Sequence, residues 1–385
     1  MTVLWLLLTV AGAVPLLLAW LVYPLVMERR ATARPRPPAR PIGEASPVVS
    51  VILVTKGSPL SIRERLEDLL CTRYPLERLE VVVAFDGDPA PAAIEPAGRR
   101  FARCATTRSD PPGGKACGLN SAVRAAKGTI LLFTDTHQRF DPEAIPRLVA
   151  ALLAGPWSTV SGALHVAGVG GTSNLLIRYW EQERRLREAE ARVHSSVGVT
   201  GAIYAMWRER WSPLPAGLIL DDLYVPMQRV LAGDRVGFEA EAVATDTRTT
   251  QPGQEFRRKV RTLTGNLQLC AWLPAVLDPR ANPIWAAFVC HKLLRLLTPY
   301  CLLAVLVGVA GMVVELAPSS VGVLLASVAV VGLLVLLSPD PLSRKVRSAA
   351  VWGVTMQAAA VVATINGLRG NWNVWRESSK PAGGG

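Results

Sequence analysis

The sequence predicts an α/β protein with a mostly parallel sheet, carried between apolar helices. Three observations predict it. Val48–Val54, Leu79–Phe85 and the run beginning at Gly128 are rich in β-branched and large apolar residues, as strands covered on both faces require. The second stops at Asp86-Gly87 and the third at Asp135, so acids fall where strands end. Helical periodicity fills intervals between them, over Ile62–Leu70 and Ala116–Ala126, and strand, helix, strand at this spacing opens a parallel sheet.

The 385 residues suffice for one large domain or two ordinary ones, yet 50% are hydrophobic, more than a soluble globule needs. The surplus is concentrated. Met1–Met27 carries no charged residue, and Leu296–Val314, Leu316–Pro339 and Ser348–Leu368 are three further uncharged runs. Each supplies roughly the 17–25 residues a helix needs to cross hydrocarbon. The first run lacks a basic residue before it and a small-residue cleavage pattern after it, and Arg29, Arg30, Arg34, Arg36 and Arg40 follow directly. Residues 1–27 therefore read as an uncleaved transmembrane signal anchor with its basic flank in the cytosol.

Residues 28–47, dense in Pro, Arg and Ala, make an extended spacer that cannot bury itself. A cytosolic domain is expected over 48–279, an amphipathic interface helix over 280–295, three transmembrane helices within 296–368 and a polar tail over 369–385. This plan belongs in a plasma (inner) membrane, multi-pass, with the α/β domain cytosolic. Parity puts the tail outside, whereas its basic residues favour the inside. The net charge of +12 is spread along the chain and often sits beside apolar runs. Anionic lipid headgroups and an anionic substrate explain it more simply than nucleic acid. The six cysteines show no ligand-like spacing, which suits reduced thiols.

Further along the domain, Asp141-Pro142-Glu143 starts a helix that runs to about Ala154, with Asp at the cap and Pro in the first turn. Thr159–Val166 reads as a strand, and Gly168–Gly171 breaks the pattern. Asn174–Val193 is a long charged helix whose Trp180, Glu181 and Glu183 either serve the acceptor side or lie on a solvated face. Gly201–Trp207 reads as a strand, Leu220–Leu231 as a helix opening with Asp221-Asp222, and Arg257–Leu273 as a basic helix. Over Pro283–Arg295, His291, Lys292 and Arg295 share one helical face, with Trp285, Phe288, Val289 and Leu296 on the others, as an interfacial helix requires.

Asp135, with His137 two residues on, either caps the next turn or holds a divalent cation against a phosphorylated substrate. Lys115 follows two glycines and opens a helix, so the backbone can approach a ligand closely while an ammonium meets phosphate. In order, the Val49-Ser50-Val51-Ile52-Leu53-Val54 strand, Asp86-Gly87, Gly114-Lys115 with Leu119-Asn120, Thr134-Asp135-Thr136-His137, Thr200-Gly201-Ala202, Asp221-Asp222 and Gln254-x-x-Arg257-Arg258 resemble the family-2 inverting glycosyltransferases. The similarity spans about residues 48–300. It is greatest to the membrane-embedded branch that includes cellulose, chitin and hyaluronan synthases.

The resemblance implies a GT-A-type, Rossmann-like domain and a hexosyltransferase-type enzyme transferring sugar from a nucleotide-diphospho-sugar, a UDP-sugar in this branch, to a polysaccharide or lipid-linked glycan. It assigns Asp86, Lys115, Asp135, Gln254 and Arg257 to the donor, and Thr200, Gly201 and Arg258 to the acceptor side. Asp222 would be the general base and Asp221 its orienting neighbour. Asp135 and His137 would meet a Mg²⁺ or Mn²⁺ cofactor, although His137 stands where most members have Asp. Asp221 stands for the usual Glu and Arg258 for the usual Trp. Those departures keep two alternatives open: a single-addition enzyme acting on a lipid carrier or glycolipid, and an inactive nucleotide-binding membrane scaffold. The branch also leaves room for accessory export or assembly proteins.

Overall fold

The computed structural model describes residues 1–34, 46–56, 58–87, 94–95, 97–166, 174–246, 252–317, 338 and 340–374. Most of the apolar run Leu316–Pro339, most of the 28–47 spacer, the break at Gly168–Gly171 and the tail beyond 374 lie outside them. In order the elements are α1 (Thr2–Leu17), α2 (Tyr23–Thr32), β1 (Val49–Thr55), α3 (Pro59–Leu69), β2 (Leu79–Phe85), β3 (Arg103–Arg108) and α4 (Lys115–Ala125). Then follow β4 (Ile130–Thr134), β5 (Gln138–Phe140), α5 (Ala144–Ala154), β6 (Trp157–Val166), α6 (Asn174–Val193), β7 (Ile203–Trp207), α7 (Asp221–Leu231), β8 (Arg235–Asp246) and α8 (Pro252–Trp272). The chain divides into two compact units, one of Met27–Thr250 with Gln268–Ala286, the other of Met1–Val26, Gln251–Leu267 and Ala287–Gly385.

The first of these units is built on an eight-stranded sheet of order β3-β2-β1-β4-β7-β6-β8-β5. β1, β2, β3 and β4 run parallel, β7 is antiparallel to both β4 and β6, and β6 and β8 are parallel. Every residue of β2 and β4 is buried, in keeping with their continuous apolar sequence. Alternate residues Val49, Val51 and Leu53 join Ile62 and Leu66 of α3 and Leu148 and Leu152 of α5 in one core. The close pairing of β1 and β4 needs a glycine before β4: a Cβ on Gly128 would lie 2.7 Å from Ser50 N and Val48 O.

At the sheet edge where β1 and β4 begin, Glu80 is buried and accepts hydrogen bonds from Lys127 N (2.8 Å), Ser50 Oγ and Arg103. Burial alone would raise the Glu80 pKa; these donors outweigh it and leave the carboxyl below its ordinary value.

Three strands escape the sequence reading. β3 carries two arginines and two threonines, and β8 interleaves Gly237, Glu239 and Glu241 with its apolar residues, so neither is an apolar run. β5 is three residues long. The helix expected from Asp141 begins instead at Ala144. The Asp141 carboxylate accepts from Glu143 N at 2.9 Å, so Asp-Pro-Glu forms a turn ahead of the helix.

In the second unit, α1 lies along the helix Thr298–Leu316, and small residues let the two approach. A Cβ on Gly308 would sit 2.8 Å from Thr9 N and Trp5 O, and one on Gly12 would sit 3.0 Å from Val305 N. Thr2 Oγ1 donates to Glu315 at 2.7 Å and Trp20 Nε1 to Thr298 Oγ1 at 3.1 Å. Among the described residues, Thr2–Thr32, Thr298–Leu316 and Val346–Leu368 are long and apolar enough to cross a membrane.

The amphipathic helix expected over 280–295 is interrupted. Trp285–Phe288 is α-helical, Val289–Leu293 is a π turn and Leu294–Leu296 resumes the α-helix. Within that turn His291 is buried, 2% exposed, where an interfacial helix would expose a polar face. Arg295 instead lays its guanidinium over the Trp20 ring, 4.6 Å from the centroid.

Candidate active site

The parallel strands deliver their acids to one edge. Asp86 directly follows β2; its Oδ1 accepts from Gly114 N at 2.7 Å while Oδ2 pairs with Lys56 Nζ at 3.0 Å. Gly113 and Gly114 have φ of +84° and +94°, a conformation that favours glycine. A Cβ on Gly113 would come 3.0 Å from Asp86 Oδ1. This turn leads into α4, whose first residue is Lys115.

β4 ends in Thr134, and Asp135 follows. Thr134 Oγ1 accepts from Arg65 Nη2 (2.9 Å) and donates to Ala202 O (3.0 Å), which ties the strand end to α3 and to the segment before β7. Arg65 is fully buried, pairs with Asp68 and lies 4.1 Å over the Phe140 ring. Burial lowers its pKa to about 10, against the opposing charges of Asp68 and Asp135.

Lys115 brings the acids together. Its Nζ lies 3.3 Å from Asp135 Oδ1 and 3.3 Å from Asp221 Oδ2. Burial works to lower the Lys115 pKa, but Asp135, Asp221 and Asp222 overcome it, so the ammonium is held above its ordinary value and stays charged. Asp221 and Asp222 open α7, where the helix dipole favours acids. The approach to α7 is clamped by Gln268, which accepts from Ile219 N at 2.8 Å and donates to Gly217 O at 3.1 Å.

Thr200 and Gly201 lie beside the second acid. Val199 N donates to Asp222 O at 2.9 Å, and a Cβ on Gly201 would lie 3.2 Å from Asp222 Oδ2. Asp86, Lys115, Asp135, Thr200, Gly201, Asp221 and Asp222 therefore share one unit of the structure, and direct contacts join Asp86 to Gly114, Lys115 to Asp135 and Asp221, and Gly201 to Asp222. Gln254, Arg257 and Arg258 belong to the other unit. There Gln254 and Arg257 are exposed, and Arg258 forks onto Glu255 with two bonds of 2.9 Å.

Among the described residues no three His, Cys, Asp or Glu side chains gather as a metal site. The Asp135 carboxylate is 40% exposed and His137 is exposed. An accessible carboxylate suits a cation shared with substrate phosphates rather than a closed protein cage, while an imidazole as a further ligand suits Mn²⁺ better than Mg²⁺.

Two site residues were not legible as motifs. Tyr204 of β7 is fully buried, stacks on Phe133 with centroids 4.5 Å apart, and its hydroxyl has no hydrogen-bond partner among the described residues. Burial, then the charges of Asp221, Asp222 and Asp135, push its pKa well up. Arg187 of α6 stands four residues after Glu183, a pair visible in sequence, but its reach to Thr200 is a long-range contact.

Residues 50–209 match the model of glycosyl transferase family 2. Among solved structures, a mannosyltransferase from Pyrobaculum calidifontis in complex with GDP-Man and Mn²⁺ aligns with a TM-score of 0.69 at 22% identity, covering 95% of this chain and 98% of that one. TarS 1-349 of S. aureus in complex with UDP aligns with a TM-score of 0.40 at 16% identity, covering 57% and 65% of the two chains. No curated protein matches the chain. The sheet is of the GT-A, Rossmann-like type, and the stretch matched by the glycosyl transferase family 2 model runs from the start of β1 to just past the end of β7.

Proposed function

We propose that the family 2 glycosyltransferase domain matched over residues 50–209 works as a membrane-bound inverting transferase, passing a sugar from a nucleotide-diphospho-sugar to a polysaccharide or lipid-linked glycan. The observation that carries this reading is the Lys115 ammonium held between Asp135 and Asp221, 3.3 Å from each, with Asp222 adjacent. That arrangement offers one cation for a diphosphate and a second carboxylate, Asp222, next to the lysine pair for proton transfer.

In this reading Asp86 receives the nucleoside and Lys115 the diphosphate, with Gln254 and Arg257 in the donor roles the resemblance gives them. The acceptor hydroxyl attacks the anomeric carbon from the face opposite the diphosphate. Asp222 takes its proton as the new glycosidic bond forms, and the nucleoside diphosphate leaves with the electron pair of the broken bond. Asp221 holds Lys115 in place. Asp135 and His137 would hold a divalent cation, which when bound offsets charge developing on the leaving diphosphate.

The donor base is open to test. The resemblance favours UDP-sugars, while the Pyrobaculum structure holds GDP-Man. The direct experiment gives detergent-solubilised protein a panel of UDP- and GDP-sugars with Mg²⁺ or Mn²⁺ and determines the product by mass. Transfer that is lost in D222N and D135N is the expected result; unchanged transfer in both would sink the enzyme reading. Arg258, engaged with Glu255 where an acceptor-stacking Trp is usual, favours addition of a single sugar, read in the same assay as one mass increment.

A further inference from the structure

Helix α6 carries a charged pair that none of the glycosyltransferase motifs uses. Glu183 and Arg187 lie one turn apart with side chains 7% and 19% exposed, and Glu183 Oε1 accepts from both Nε and Nη2 of Arg187 at 3.2 Å. A guanidinium removed from water needs such a partner, and this one fixes its plane. The remaining arm, Nη1, reaches Thr200 Oγ1 at 3.4 Å.

Thr200 is itself pinned. Its N–H donates to Ser161 Oγ on β6 at 2.8 Å, and it bridges Ile203 at the head of β7. On either side of it the chain touches Asp222: Val199 N donates to the Asp222 carbonyl at 2.9 Å, and the absent side chain of Gly201 leaves room for the Asp222 carboxylate at 3.2 Å. The segment 199–201 is thus a seat for Asp222, and Arg187 is the charged group that grips its centre.

We propose that Arg187 is a positioning residue for the general base: through Thr200 it holds the seat of Asp222. The inference rests on Asp222 being the base of the proposed transferase. Asp222 is among the acids whose charge acts on Arg187. Burial pulls the Arg187 pKa down, and Glu183, Asp222 and Glu190 more than restore it, so the guanidinium stays charged. Glu183 balances one charge of the pair, which leaves the arm toward Thr200 free to be polar without an unpaired buried ion.

The test compares wild type, R187M, R187K and D222N in full-length protein in detergent, with kcat, donor KM and thermal unfolding measured for each. Loss of a well-placed general base costs about 100-fold or more in rate. R187M is expected to lower kcat by at least about tenfold, part of that effect, while donor KM stays within about twofold. R187K, which keeps the charge, should recover a substantial share of the rate. A purely structural role would lower stability and raise donor KM together, with R187K no better than R187M, and that result overturns the proposal. Wild-type kcat in R187M with D222N inactive overturns this inference alone. Wild-type transfer by D222N, or no transfer by wild type with any donor, overturns the proposed function and this inference with it.

Discussion

The Cβ position of Gly201 lies 3.2 Å from Oδ2 of Asp222. A contact that tight leaves no room for a methyl group unless the carboxylate moves. Replacing Gly201 by Ala should therefore displace Asp222 by a few tenths of an ångström, enough to disturb proton transfer from a bound hydroxyl. We expect G201A to lose about tenfold or more in kcat while its unfolding temperature changes little. Parallel kcat and thermal-melt measurements check this.

Tyr204 makes the opposite trade. A buried hydroxyl with no partner costs about 1–3 kcal/mol, and this one is fully buried and unpartnered among the described residues. Y204F removes the hydroxyl and keeps the stack on Phe133. The ligand-free variant should unfold at a higher temperature than wild type in differential scanning calorimetry. A lower one would mean the hydroxyl is satisfied.

Glu80 sets an acid limit on the sheet. Its folded pKa lies below the unfolded value, so the stability it contributes is complete above about pH 4.3, the ordinary Glu value, and is lost as the pH falls through the folded pKa. E80Q should cost about 1–3 kcal/mol at neutral pH and flatten the loss of stability below pH ~4.3. Urea titrations of both proteins across this range measure the difference.

The pairing of α1 with Thr298–Leu316 rests on glycine. A leucine at Gly308 would press on Thr9 N and Trp5 O, backbone atoms that cannot turn aside. Overpacking of this kind costs about 1–3 kcal/mol. With the native cysteines replaced, a T2C/E315C pair should cross-link in the parent protein, where Thr2 Oγ1 and Glu315 Oε1 are 2.7 Å apart. The same pair with G308L should cross-link poorly.

Local chemistry accounts for what could be read along the chain. β1, β2 and β4 are continuous apolar runs, Asp86 and Asp135 stand where such runs stop, and Gly113-Gly114 ahead of Lys115 marks a turn into a helix. Each signal lies within a few residues, so the parallel half of the sheet, its acids and the three helices long and apolar enough for a membrane were all legible. β3 and β8 were not, because strands half covered by helices or set near a sheet edge keep polar residues and lose the apolar run. The start of α5 was missed for a related reason: Asp141 favours a turn as strongly as a helix cap.

The sequence by itself determined which acids and bases the domain owns and roughly which sheet edge receives them. Only the tertiary structure decided their partners. Lys115 is 20 residues from Asp135 and 106 from Asp221, yet it touches both; Arg187 reaches Thr200, and Gly201 meets Asp222 across a comparable separation. Such contacts leave no periodic trace, because they depend on strand order and on how α4, α6 and α7 pack on the sheet. A charge's role is set by the charges around it, and in this domain folding chooses those neighbours.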